Sequence, residues 1–145
     1  MIFMEKKYVA TKALLVNPDG KILIVRDAGD GDHANFQGDW DLPGGRMDAQ
    51  ETPHETLVRE VWEEVGLTID PKGARPFFVD RWGVGGDVVG NPVIGIFFVV
   101  PVGHTAIRLS KEHDRFLWID PQEAIPEEAK NDDLVEILHA YKERL

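Results

Sequence analysis

The chain of 145 residues contains no cysteine, which removes disulfides, thiolate zinc sites and a cysteine nucleophile at once. A reducing cytoplasm fits that composition and is the expected compartment. Basic residues are scarce: 16 Lys and Arg face 26 Asp and Glu, for a formal net charge of −10. No basic face offsets this charge, so a nucleic-acid polymer is not an expected partner. A single nucleotide is not excluded, because a metal ion can screen a diphosphate from an acidic pocket. Long apolar runs are also missing. No segment approaches membrane-spanning length, and residues 1–7 lack the apolar core of a signal peptide. Internal repeats, linkers and low-complexity stretches are absent as well. The length and the 43% hydrophobic content suit one domain over residues 1–145 with a single core.

Several familiar catalytic patterns are missing. His54-Glu55-Thr56-Leu57-Val58 starts like a zinc-protease helix, but Val58 stands where the second histidine belongs. There is no Walker A sequence, no third glycine after Gly83-Val84-Gly85 for a dinucleotide fingerprint, and no glycine-flanked serine for a nucleophile elbow.

What is present centres on residues 45–67, a glycine turn feeding one carboxylate-rich amphipathic helix. Thr52, Pro53 and Glu55 mark the start as cap hydroxyl, first-turn proline and capping-box glutamate, and Gly66 marks the stop. At about 100° per residue, Leu57, Val58, Val61, Trp62 and Val65 share one arc. Glu60, Glu63 and Glu64 share the neighbouring arc, with Glu64 nearest the apolar edge. Like charges at this spacing repel by a few tenths of a kcal/mol per pair. They also sit at the wrong end of the helix dipole. Two explanations stand: a solvated acidic face softened by Arg59, or a hard divalent cation such as Mg²⁺ or Mn²⁺ that wants oxygen ligands.

Gly45, five residues, Glu51, seven residues and then Arg59-Glu60-Val61-Trp62-Glu63-Glu64-Val65-Gly66-Leu67 match every fixed position of the Nudix hydrolase signature. The chain therefore resembles that family, which hydrolyses nucleoside diphosphates linked to another moiety with divalent metal. The resemblance implies an α/β fold, an α/β/α sandwich around a mixed β-sheet, with the signature helix packed on the sheet. It implies Mg²⁺ or Mn²⁺ as cofactor, with Glu60 and Glu64 as main ligands, Glu63 as a further or water-mediated one, and the Gly45 carbonyl completing the shell. Arg59 would hold the glutamates, and Glu51 would support them from outside. The general base would come from a loop facing the helix. Residues 109–115 are the candidate stretch, Glu112 the preferred base and His113 the runner-up.

Substrate contacts are expected at Gly44, Gly45 and Arg46, where backbone can approach a diphosphate, and at Arg26 and Trp82, which could reach the base or distal group. The expected partner is a small nucleotide diphosphate derivative, with a homodimer left open. The rival is a catalytically silent domain that binds a nucleotide as a sensor; it predicts erosion of the metal glutamates, and none is missing.

The remaining chain reads as strands over residues 8–17, 21–26, 74–82, 92–102 and 116–119. Residues 27–39 read as a polar loop at the rim of the site, 40–45 as a glycine turn, and 83–90 as a glycine-rich connection. A brief helix is expected from Asp120, closed by Pro126. A terminal helix started by Asp132 and Asp133 should bury Leu134, Ile137, Leu138, Tyr141 and Leu145.

Overall fold

The structure, a computed structural model, describes residues 6–82, 92–104 and 106–145. The glycine-rich connection expected over residues 83–90 lies outside these. Among the described residues no helix is long and apolar enough to cross a membrane.

Strand β1 (Tyr8–Val16) is the spine of the sheet. Along one edge it runs parallel to β6 (Val93–Pro101), from Tyr8 opposite Val93 to Val16 opposite Pro101. On the other edge it meets β2 (Ile22–Asp27) only at Val16 and Ile22, beside the Asn17-Pro18-Asp19-Gly20 turn. The two strands then splay apart. The chain at 39–46 fills the split: β3 (Trp40–Asp41) pairs with β2, and β4 (Gly44–Arg46) pairs with β1 at Ala10, Thr11 and Lys12. The stretch expected as a plain turn is therefore two short strands bridging a gap.

Strand β5 (Arg75–Trp82) lies antiparallel outside β6, and β7 (His113–Ile119) lies antiparallel outside β2. Among the described residues this makes a mixed sheet of seven strands.

Side chains alternate across the sheet and so build two cores. Leu15, Leu23, Val25 and Phe98 pack with Leu57, Val61 and Val65 of α1 (Pro53–Val65). Leu14, Ile22, Ile24 and Phe97 pack on the opposite face with Leu134, Ile137, Leu138 and Tyr141 of α2 (Asp132–Lys142). Ile22 to Val25 are wholly buried because both faces of β2 are covered. The expected α/β/α arrangement around a mixed sheet is thus what forms.

Four local expectations need correction. Trp62 is 49% exposed, with the Arg108 guanidinium 5.0 Å from its ring centre. The buried arc of α1 is turned toward Glu64 instead, so Trp62 falls on its far side. No helix forms between Asp120 and Pro126. The Asp120 carboxylate accepts a bond from Gln122 N at 2.8 Å, which closes a turn, and Pro126 disfavours a helical Ile125. A 3₁₀ turn follows at Glu127–Ala129. Helix α2 begins at Asp132 as expected, capped by Asn131, whose side chain accepts from Leu134 N at 2.9 Å, but Leu145 lies past the helix end, 70% exposed. Finally, β7 starts at His113 and not at Phe116, because the polar residues 113–115 continue pairing with Arg26 and Asp27 across a bulge.

Candidate active site

The local sequence of α1 explains its placement. Thr52 Oγ1 accepts from Glu55 N at 3.2 Å while Glu55 Oε1 accepts from Thr52 N at 3.0 Å, a reciprocal capping box. Gly66 ends the helix at φ 74°, its N–H bonded to the Trp62 carbonyl.

Arg59 organises the acidic surface between these ends. Its Nε and Nη2 grip both oxygens of Glu51 at 2.7 and 2.9 Å, and its Nη1 reaches Glu60 Oε1 at 3.0 Å and Glu63 Oε2 at 3.3 Å. The Arg46 carbonyl accepts from Nη2 at 3.4 Å. Glu51 also accepts from Asp48 N and Thr56 Oγ1. The Arg59 bonds, helped by Asp48 N, hold the Glu51 carboxyl down at about pKa 2. The same pair, bonded to Glu51 first of all, raises Arg59 above its ordinary value.

The inner carboxylates behave oppositely. Glu64 is 5% exposed, and its Oε2 accepts from Gly44 N at 2.9 Å. Burial pushes its carboxyl well above the usual range, against the pull of Lys12 and of the Gly44 N–H. Burial also raises Glu60, with Arg59 opposing. Two adjoining, poorly solvated carboxylates repel each other when both are charged, a repulsion that a cation between them would offset.

Both glycines of β4 lie in close contacts, and the one at Gly44 is with backbone. A Cβ on Gly45 would lie 2.6 Å from the Glu60 carboxylate, and one on Gly44, at φ 147°, would collide with the Thr11 carbonyl. Gly44→Ala is therefore expected to destabilise the protein by roughly 2–4 kcal/mol through backbone strain and overpacking. A urea unfolding curve with an unchanged midpoint would contradict this.

The segment before β7 docks under the last turn of α1. Arg108 N donates to the Val65 carbonyl at 2.9 Å and Ser110 N to the Glu64 carbonyl at 3.1 Å, satisfying carbonyls the helix leaves open. Ala28 N bonds the Glu112 carbonyl at 2.8 Å and fixes the other side. As a result one ligand atom each from Glu64, Glu112 and His113 lie within 4.8 Å of one another. Burial lowers the His113 pKa, against Asp27 and Glu112. Its Nδ1 is buried with no hydrogen-bond partner among the described residues.

Glu60, Glu64, Gly44, Gly45 and Arg59 thus meet along one side of α1, with Glu112 and His113 near Glu64. Glu63 is tied to Arg59 and half exposed. Other expected residues stand apart. Arg26 is held by Asp114 through two bonds of 2.7 and 2.9 Å. The Arg46 guanidinium lies 4.5 Å from the Tyr8 ring centre. Trp82 packs edge-on to Phe97 in the α2-side core, its ring where a side chain on Gly95 would be.

Sequence reasoning passed over Lys12 and Asp41. Lys12 sits opposite Gly44, and its Nζ donates to Asp41 Oδ2 at 2.7 Å and to the Leu42 carbonyl at 3.3 Å. Burial works to lower its pKa, but Asp41, Glu64 and Glu60 together hold it above the ordinary value. A lone lysine inside an apolar strand was the available signal.

A family model described as NUDIX domain matches residues 6–141. A MutT-like protein of Streptomyces ambofaciens is 32% identical over 116 residues, covering 79% of this chain and 65% of its own length. The chain thus spans just under two thirds of that relative. A CTP pyrophosphohydrolase of Escherichia coli strain K12 is 28% identical over 119 residues, covering 82% of this chain and 81% of its own. Among solved structures, the MutT protein from Methanosarcina mazei Go1 superposes with a TM-score of 0.75 at 23% identity, covering 99% of this chain and 98% of that one. That likeness carries the fold alone.

Proposed function

Because this chain belongs to the NUDIX domain family, we propose that it is a divalent-metal-dependent pyrophosphohydrolase acting on a nucleoside diphosphate linked to another group. The whole of residues 1–145 would serve as one catalytic domain, working in the cytoplasm. One observation carries the proposal: carboxylates from α1 and from the segment before β7 converge beside the Gly44–Gly45 backbone.

The residues present fit a divalent ion. Glu60 and Glu64 are adjoining carboxylates largely shielded from water, the Glu60 carboxylate lies against the Gly45 backbone, and the His113 Nδ1 is buried without a partner among the described residues. Glu60 and Glu64 would hold the ion, with Glu63 and the Gly45 carbonyl as outer or completing ligands. When bound, Mg²⁺ or Mn²⁺ supplies charge neutralisation for the diphosphate oxygens and makes the attacking water a stronger acid.

The chain does the rest. Arg59 fixes Glu60 and Glu63 through bonds that Glu51 braces from the other side. The glycines of β4 admit the diphosphate close to the backbone, with Arg46 next to them. Glu112 takes the proton of the water as its oxygen attacks phosphorus. The P–O bond to the bridging oxygen breaks, leaving a nucleoside monophosphate and a phosphorylated remainder. Arg26 reaches a distal phosphate by exchanging the Asp114 carboxylate for it, since a guanidinium fork fits either group. For a nucleoside triphosphate, the substrate type in the name of the Escherichia coli relative, the remainder would be pyrophosphate.

The test is a panel of nucleotide sugars, dinucleoside polyphosphates, ADP-ribose and nucleoside triphosphates, assayed with Mg²⁺ and then with EDTA. Metal-dependent release of a monophosphate from any member is the expected result. Tight nucleotide binding with no turnover across the panel would favour a sensor instead. Metal should also stabilise the fold by mass action, because only the folded state gathers these glutamates. At 100 times its Kd, Mg²⁺ is expected to raise Tm by roughly 5–10 °C, and by less in Glu60→Gln. A melting point indifferent to Mg²⁺, with and without nucleotide, would contradict the metal centre.

A further inference from the structure

Nothing in the signature of α1 calls for a nitrogen ligand, yet a histidine stands at the mouth of its acidic cluster. His113 opens β7, paired with Asp27 at the point where the β2–β7 register shifts. Its backbone N–H is bonded to the Ser110 carbonyl at 3.2 Å, so the ring is carried by ordered backbone on both sides.

One ring nitrogen of His113 and one carboxylate oxygen from each of Glu64 and Glu112 lie within 4.8 Å of one another. Ligand bonds of about 2.0–2.2 Å allow two ligand atoms to stand at most ~4.4 Å apart across a first-row ion. The three side chains therefore need only slight adjustment to share one cation. They come from α1, from the segment that docks beneath it and from β7, so the convergence is a product of the tertiary fold.

The ring is not explained as ordinary packing. A ring nitrogen cut off from water normally has a partner, but Nδ1 of the half-buried His113 has none among the described residues. Its strand neighbour Asp27 does not supply one: the Asp27 oxygens accept from Gly29 N at 2.8 Å and contact His33 Nδ1 at 2.9 Å, and neither is bonded to the His113 ring. Lys12, the half-buried cation nearby, is turned to Asp41.

We infer that His113 is a nitrogen ligand of the metal centre, joining Glu64 and Glu112, and that it biases the site toward Mn²⁺ or Co²⁺ over Mg²⁺. Oxygen ligands alone suit Mg²⁺, whereas imidazole favours the later first-row ions. The inference rests on the proposed metal-dependent function, and it concerns binding and not turnover.

The experiment loads the full-length, nucleotide-free protein with Mn²⁺ and reads it by pulsed electron paramagnetic resonance. Electron spin-echo modulation from a directly bound imidazole ¹⁴N is expected in the wild type. His113→Gln should still bind Mn²⁺ but lose that modulation. Its Mn²⁺ Kd should rise on the order of tenfold or more, as expected when even supporting groups of a metal site cost that much. Its Mg²⁺ Kd should change less. If the variant does not fold, the wild type grown on [¹⁵N]histidine, compared with His33→Gln grown the same way, decides the matter: ¹⁴N modulation replaced by ¹⁵N in both supports the ligand, and unaltered ¹⁴N modulation, or its loss in His33→Gln, overturns it. Mn²⁺ bound with no nitrogen modulation also overturns it and leaves the hydrolase proposal standing. No Mn²⁺ binding at all overturns the metal centre itself, and this inference with it.

Discussion

Glu64→Gln is expected to lower turnover at least about 10³-fold while leaving the melting temperature in EDTA unchanged or higher. The activity loss follows from removing a buried anion from the proposed metal site, where several kcal/mol of charge stabilisation are at stake and each 1.36 kcal/mol is tenfold in rate. The fold should survive because the glutamine carbonyl can still accept the bond that Gly44 N now gives to Glu64 Oε2. Lys12 keeps Asp41 as its ion-pair partner.

A pH signature accompanies this. Burial raises the Glu64 carboxyl well above its ordinary value, against Lys12, and raises Glu60 too. The folded, metal-free protein therefore holds protons that the unfolded chain has already released. The contribution of these two groups to stability should be greatest below the ordinary carboxylate range and decline as pH rises through the elevated values. In Glu64→Gln that decline should be shallower. A variant with full Mg²⁺-dependent activity would remove Glu64 from the ligand set, and one that melts much lower in EDTA would make its role structural.

Local signals made α1 legible before any coordinates. Caps, a first-turn proline and a terminal glycine act within a few residues of themselves, and the structure shows the reciprocal Thr52–Glu55 bonds and the left-handed Gly66 that they imply. The apolar runs of β1, β2, β5 and β6, and the buried face of α2, were legible for the same reason. The splay between β1 and β2 was not, because it depends on which strand reaches β1 first. Gly44–Arg46 does so by pairing with Ala10, Thr11 and Lys12.

Trp62 shows the limit of periodicity. An apolar residue at the rim of an arc falls inside or outside according to what packs there, and Trp62 meets the Arg108 guanidinium instead of the core. Lys12 and Asp41 lie 29 positions apart in the chain, and their pairing depends on β3 and β4 bridging the split. His113 was readable as a residue near the helix, but its orphaned nitrogen is a property of the packed β7 edge.

Glu112→Gln is expected to slow turnover by roughly 10²–10⁴-fold, the usual scale for losing acid–base help, with KM for the nucleotide little changed. The α1 glutamates do not supply a free base: Glu60 and Glu63 are bonded to Arg59, and Glu64 accepts from Gly44 N. Glu112 is exposed and presents its carboxylate to the same space from the opposite side, held there by the Ala28 N to Glu112 carbonyl bond. An exposed substitution of this kind should move stability by no more than about 0.5 kcal/mol. The assay must be run at saturating metal, since Glu112 also stands among the possible ligands. A defect in a ligand is relieved by more metal, whereas a defect in the proton acceptor is not. If excess Mn²⁺ restores Glu112→Gln, its carboxylate acts only as a ligand and the base is another group. If Glu112→Gln is nearly wild type while His113→Ala stays inactive at saturating metal, the proton goes to His113. If both variants turn over normally, Glu63 is the next group to test, because Arg59 alone restrains it and its side chain is 53% exposed.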